Sequence, residues 1–177
     1  MDHQAVAEML GNYGEFVGAI GVVVTLAYLA VQIKQNTQSA RSQSRQTLLD
    51  ALSTTNWNLG NDPNLLRIYA TAFKRWPNLP NDEKAVFDIG MGRYLANLQN
   101  GILLRAEGML DDATLDQTAD FMLLCILSEG GSKWWQETPM AMRETRQYLD
   151  NRLTQSNNLP PGIDELFPYW MAMAEDH

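Results

Sequence analysis

The sequence predicts an all-α protein in which an N-terminal transmembrane helix continues into a long stalk helix and then into a cytoplasmic helical bundle. Three observations carry that expectation. Residues 16–33 contain no charged side chain, neither Gly nor Pro occurs between Gly21 and Gly60, and no alternating run rich in β-branched residues follows Thr25. The expected divisions are a short extracytoplasmic tail (1–15), the membrane helix (16–33), a polar stalk entering the bundle (34–59) and the bundle itself (60–177).

The membrane helix follows from length and charge. From Phe16 to Ile33 the chain is apolar or small at almost every position, and at about 1.5 Å per residue it covers roughly 27 Å, close to the hydrocarbon thickness of a bilayer. Its length is at the lower edge of the spanning range, so a buried helix of a soluble protein is the alternative. The preceding residues carry Asp2, Glu8 and Glu15 but no Lys or Arg. The basic region of a cleaved signal peptide is therefore missing, and the helix is expected to be retained. Lys34, Arg41 and Arg45 follow with no acidic residue until Asp50, which places the N-terminus outside and the long C-terminal part in the cytoplasm.

Along this helix the non-apolar or backbone-small residues recur every three or four positions. Gly14, Gly18, Gly21, Thr25, Tyr28, Gln32 and Gln35 fall on one stripe, the seam through which helices pair in a left-handed bundle. The other faces hold residues such as Phe16, Ile20, Val23, Leu26 and Leu29. Small residues let helix backbones approach closely in lipid, and hydroxyl or amide groups prefer a hydrogen-bonding partner to hydrocarbon. The simplest partner is another copy of the same helix, so a homo-oligomer is expected. Two other readings share the pattern. Glycine is common in membrane helices and Tyr28 and Gln32 can lie at the headgroup level; or several copies leave a lumen lined by Thr25, Tyr28 and Gln32, with Glu15 at its outer mouth.

The stalk from Lys34 to Thr47 has a single apolar residue, Ala40. A helix polar all round is solvent-bridging, held by polar neighbours, or frayed, and Lys34, Arg41 and Arg45 are expected either to contact anionic lipid headgroups or to form a solvated charged face. Leu48, Leu49, Leu52 and Trp57 mark entry into a folded domain. In "DPNLLRIYATAFKRW", Asp62 is an N-cap and Pro63 the first helical residue; Leu66, Tyr69, Phe73 and Trp76 share a face before Pro77 stops the helix. The next helix is capped by Asn81 or Asp82 and buries Phe87, Met91, Tyr94, Leu98 and Ile102, with close helix crossings expected at Gly90, Gly92 and Gly101. A helix from Asp111 should turn Leu115, Met122 and Cys125 or Ile126 inward and close on Gly130 and Gly131. Another should begin at Thr138 and Pro139 and run to about Leu153, with Met142, Leu149 and Leu153 inward. The apolar end around Leu166, Phe167, Tyr169 and Trp170 should form a turn and a short helix packed back on the bundle.

Charge and chemistry-bearing residues narrow the function. With 21 acidic against 13 basic residues the net charge is −8, which disfavours nucleic acid as a partner. Cys125 is the single cysteine and His3 and His177 the only histidines, so neither a disulfide nor a Cys/His metal site is expected, and Cys125 reads as a small buried apolar residue. Glu83, Asp88, Arg93 and Arg105 form no acid/base pair of defined spacing, and no nucleophile triad, phosphate loop or zinc-protease motif occurs. No catalysis and no cofactor are expected. Asp112, Asp116 and Asp120 lie four apart on one helix face, a like-charge arrangement costing a few tenths of a kcal/mol per pair that calls for compensation. Trp134 and Trp135 are adjacent. Neighbours on a helix do not face the same side, so one of them is expected to contact a partner, a ligand or the membrane surface, or else the pair is wedged between helices of its own domain.

The segment "AIGVVVTLAYLAVQIKQNTQSAR", Ala19 to Arg41, resembles the start of a group of small uncharacterised bacterial single-pass membrane proteins. These share an N-terminal helix ending in an apolar-Gln-Ile-basic-Gln-Asn-Thr pattern, followed by a helical domain with scattered aromatic residues. The likeness is strongest over residues 15–45. It implies a bacterial inner-membrane protein and supplies no activity or catalytic residue.

Overall fold

The computed structural model describes residues 3–155 and 162–174, with side chains from residue 10 onward except 11, 57 and 155. Every regular element among them is helical. The first, α1, runs from His3 to Gly60 without a break, as the absence of Gly and Pro after Gly21 predicts. The chain divides into two compact units, 1–42 and 43–177, and the boundary falls inside α1. The last turns of α1 belong to the second unit because Leu48 is buried in its core, with Leu52 and Leu59 packed against it. Leu49 is exposed, and the side chain of Trp57 lies outside the described residues.

The start of α2 (Pro63–Arg75) is fixed by Asp62, whose carboxylate accepts hydrogen bonds from the backbone N–H groups of Asn64 at 2.9 Å and Leu65 at 3.2 Å. Asp62 thereby satisfies two of the donors a helix start leaves unpaired. After a single 3-10 turn at Trp76–Asn78, α3 occupies Asn81–Ala106. Its N-cap is Pro80, so Asn81 and Asp82 sit inside the first turn instead of capping it. The chain reverses after α3 through Gly108, whose φ of 70° lies in the left-handed region that favours glycine. Helix α4 (Asp112–Leu127) is capped by Asp111, which accepts from the Thr114 N–H at 2.8 Å and the Thr114 hydroxyl at 3.0 Å.

The sequence places the end of α4 at Gly130, and the structure corrects this. Ser128 is extended, and its hydroxyl accepts from the Gly131 N–H at 3.0 Å, opening a new helix, α5, over Glu129–Glu137. Gly130 and Gly131 are therefore at the start of a helix and not a terminator. They are glycines because of close approach: a Cβ on Gly130 would overlap the carbonyl of Ala72, and one on Gly131 the carbonyl of Cys125. The following helix, α6, spans Arg143–Gln155, starting later than Thr138. Thr138 is extended, and the Arg146 guanidinium donates to the carbonyls of Trp135 and Thr138, pinning the connection. Met142 consequently sits outside the helix and is 60% exposed, whereas Leu149 is buried as expected. Two short helices, α7 (Ile163–Leu166) and α8 (Pro168–Ala172), end the described chain. The Trp170 indole N–H donates to the carbonyl of Leu66 at 2.8 Å, fastening α8 to α2.

The core of the second unit is an aromatic cluster. Phe87 of α3 is fully buried, with ring centroids of Tyr69, Phe73, Trp76 and Trp134 at 4.9, 5.4, 5.5 and 5.5 Å. Such ring pairs add about 0.5–1.5 kcal/mol each beyond the area they bury. Two of the close crossings expected on α3 are present: a Cβ on Gly90 would strike the Tyr69 hydroxyl of α2, and one on Gly101 would meet Leu115 of α4 at 3.0 Å; Gly92 instead faces the non-helical connection after α5, where a Cβ would meet the Met140 methyl at 2.8 Å.

Candidate functional site

In the first unit, α1 is long and apolar enough to cross a membrane, and none of its most apolar stretch is buried. Gly14, Gly18 and Gly21 lie on the expected stripe, and a Cβ at any of them would meet nothing within 4 Å. The polar members of the stripe satisfy one another in part. Thr25 donates its hydroxyl to the Gly21 carbonyl at 2.8 Å, and the Gln32 amide donates to the Tyr28 oxygen at 3.1 Å. The need of Thr25 for a donor's partner is thus met within its own helix, whereas the Tyr28 hydroxyl proton and the Gln32 carbonyl oxygen still face outward, as does Gln35. What the stripe offers a neighbour is first of all a groove of bare backbone and second a short polar ladder.

Lys34 and Arg41 are exposed. Arg45 belongs to the second unit, where its charge acts on Asp111. The carboxyl of Asp111 is held below the usual carboxylate range, chiefly by the hydrogen bonds from Thr114 and secondarily by the attraction of Arg45.

Both tryptophans of α5 are buried, Trp134 fully and Trp135 with 6% exposure, which decides between the two expectations in favour of a pair wedged within its own domain and against a partner contact. They point to different sides of a helix that is enclosed on both. The Trp134 indole donates to Asp88 of α3 at 2.7 Å, and the Trp135 indole to Asp150 of α6 at 2.9 Å. The guanidinium of Arg146 covers the Trp135 ring at 4.1 Å. The pair is wedged inside its own bundle and has no surface left for a ligand.

The acidic face of α4 finds the expected compensation. Arg152 of α6 pairs with Asp116 and, at 2.9 Å, with Asp120; the Tyr148 hydroxyl donates to Asp116 at 2.6 Å; and Arg105 pairs with Asp112. With the carboxylates so engaged, the face is a helix–helix contact, and no cluster of metal-ligating residues occurs among the described residues. Glu83 and Asp88 also have structural partners, Arg67 at 2.6 Å and Trp134. Arg93 is different: it forms neither an ion pair nor a hydrogen bond with a described residue, and it lines a cavity together with Tyr69. Spacing alone does not reveal that grouping, because the cavity walls come from three helices.

Cys125 is fully buried, and burial pushes its thiol well above the ordinary range. A maleimide should leave the folded protein unlabelled and react only after denaturation, as read by intact mass. Rapid labelling under native conditions would contradict this placement.

Comparison with family models, with curated proteins and with solved structures gave no match.

Proposed function

We propose that the chain is a bacterial inner-membrane protein, crossing once with its N-terminus outside. It self-associates through the Gly14–Gly18–Gly21–Thr25–Tyr28–Gln32–Gln35 edge and carries a cytoplasmic bundle that works by interaction, as a scaffold or sensor. The observation that supports this best is the open space above three glycines on one edge of an unburied, apolar helix. In lipid, association gains little from hydrophobicity, and close backbone approach with interhelical hydrogen bonds takes its place. Lys34 and Arg41 supply the cytoplasmic charge bias and a contact with anionic headgroups.

The test is the protein mass of the detergent-solubilised particle. One chain weighs 20.0 kDa; an integral multiple is expected, and a single-chain particle would remove self-association. The adjacent Tyr28 and Gln32 side chains favour one second reading, a small pore lined by that polar ladder. Ion flux into liposomes that grows with protein content and vanishes on Gln32→Leu would establish the pore, and flux no greater than in empty liposomes would exclude it.

A further inference from the structure

Where the last turns of α1 meet α2 and α3, the second unit holds a half-open cavity of about 240 Å³ walled by Leu59, Leu65, Val86 and Ile89. Thr55, Asn58, Tyr69, Arg93 and Tyr94 supply its polar lining, and Tyr69 and Arg93 stand out among them. Tyr69 is only 5% exposed, and its hydroxyl lies against α3 in the space that the missing side chain of Gly90 leaves. The hydroxyl has no hydrogen-bond partner among the described residues, yet no side-chain oxygen or nitrogen among them is sealed off unpaired, so it opens into the cavity it lines. With no protein acceptor, its proton is left for water or a bound ligand in the cavity to accept. Tyr94, which also lines the cavity, is already committed, donating to Asn56 at 2.5 Å.

Arg93 supplies the second group. Its positive charge is felt at Tyr69, and its helical neighbours three and four residues away, Ile89, Gly90, Ala96 and Asn97, offer no carboxylate. Arg67, Arg105 and Arg152, by contrast, each have an acidic partner. A lone guanidinium beside an unmet phenolic donor, above apolar walls, is complementary to a molecule with an anionic head and a hydrocarbon body.

We propose that this cavity binds a medium-chain acyl carboxylate, its head on the Arg93 guanidinium and the Tyr69 hydroxyl and its chain against Leu59, Leu65, Val86 and Ile89. A neutral apolar ligand would leave both polar groups unmet, and a compact anion would leave the walls wet. A half-open cavity of about 240 Å³ has room for a medium-length hydrocarbon chain and not for a long one. Burial raises the Tyr69 pKa to about 12, so the phenol stays a donor throughout the neutral range. The site stands on the bundle alone and does not rest on the membrane reading.

The test is fluorine NMR of fluorine-labelled octanoate titrated onto the full chain in lipid nanodiscs whose content of folded protein is first verified by intact mass and circular dichroism, with empty nanodiscs as the reference. Saturable binding above that reference is expected, weakened about tenfold by Arg93→Gln and about threefold by Tyr69→Phe, and not displaced by octanol or octylamine. Arg93 is exposed, so its replacement leaves the fold intact, and Tyr69→Phe keeps the ring. A signal identical to that of empty nanodiscs, binding unchanged in Arg93→Gln, or displacement by octanol as effective as by octanoate would each overturn the proposal.

Discussion

Gly130→Ala is expected to cost the bundle about 3 kcal/mol and to lower its melting temperature by about 10 °C. The added methyl would overlap the Ala72 carbonyl and crowd the backbone of Phe73. Backbone cannot rotate away as a side-chain tip can, so α5 would have to lift from α2. The shift would disturb Trp134, whose ring stands edge-on to Phe87 at 5.5 Å and whose indole is tied to Asp88. Circular dichroism melts of the full chain measure the effect. Gly92→Ala is the control: its methyl would meet only the flexible end of Met140, and alanine favours helix over glycine by about 1 kcal/mol, so little change is expected. Equal melting of Gly130→Ala and the parent chain would contradict the tight α2–α5 crossing.

The second large effect concerns α1. The paired substitution Gly18→Leu with Gly21→Leu is expected to weaken self-association by about 2 kcal/mol, roughly thirtyfold in the dissociation constant, by holding the backbones apart. Both positions are open in the single chain, so the substitutions harm nothing within it, and the bundle melt should not move. Particle mass across a dilution series, together with the melt, separates lost association from lost folding. An unchanged mass would show that the glycine edge is not the contact.

Much of this architecture is written in short-range signals. Asp62 followed by Pro63 announces α2, the absence of glycine and proline after Gly21 announces the length of α1, and the four-residue spacing of Asp112, Asp116 and Asp120 announces cations that prove to be Arg105 for the first and Arg152 for the other two. Harder to see were features that depend on what lies opposite. Glycines at 130 and 131 read locally as a helix stop, and only the nearness of the Ala72 and Cys125 carbonyls gives them their other meaning. Adjacent tryptophans suggest a spare aromatic face only while α5 is imagined on the surface; with α3 on one side and α6 on the other, each indole has its own carboxylate. The cavity beside Tyr69 and Arg93 was equally hidden, since Leu59, Leu65 and Val86 come together only when three helices meet.

Self-association through one edge of α1 is tested most directly by cysteine crosslinking in membranes. Single cysteines at positions 18, 21, 25 and 28 are compared with single cysteines at positions 20, 24 and 27 on the other faces, and the native Cys125 gives no background because it is buried. Strong dimer formation from the first set with little from the second is the expected result. Equal yields from both sets, or crosslinking confined to the second, would contradict an association built on the glycine edge.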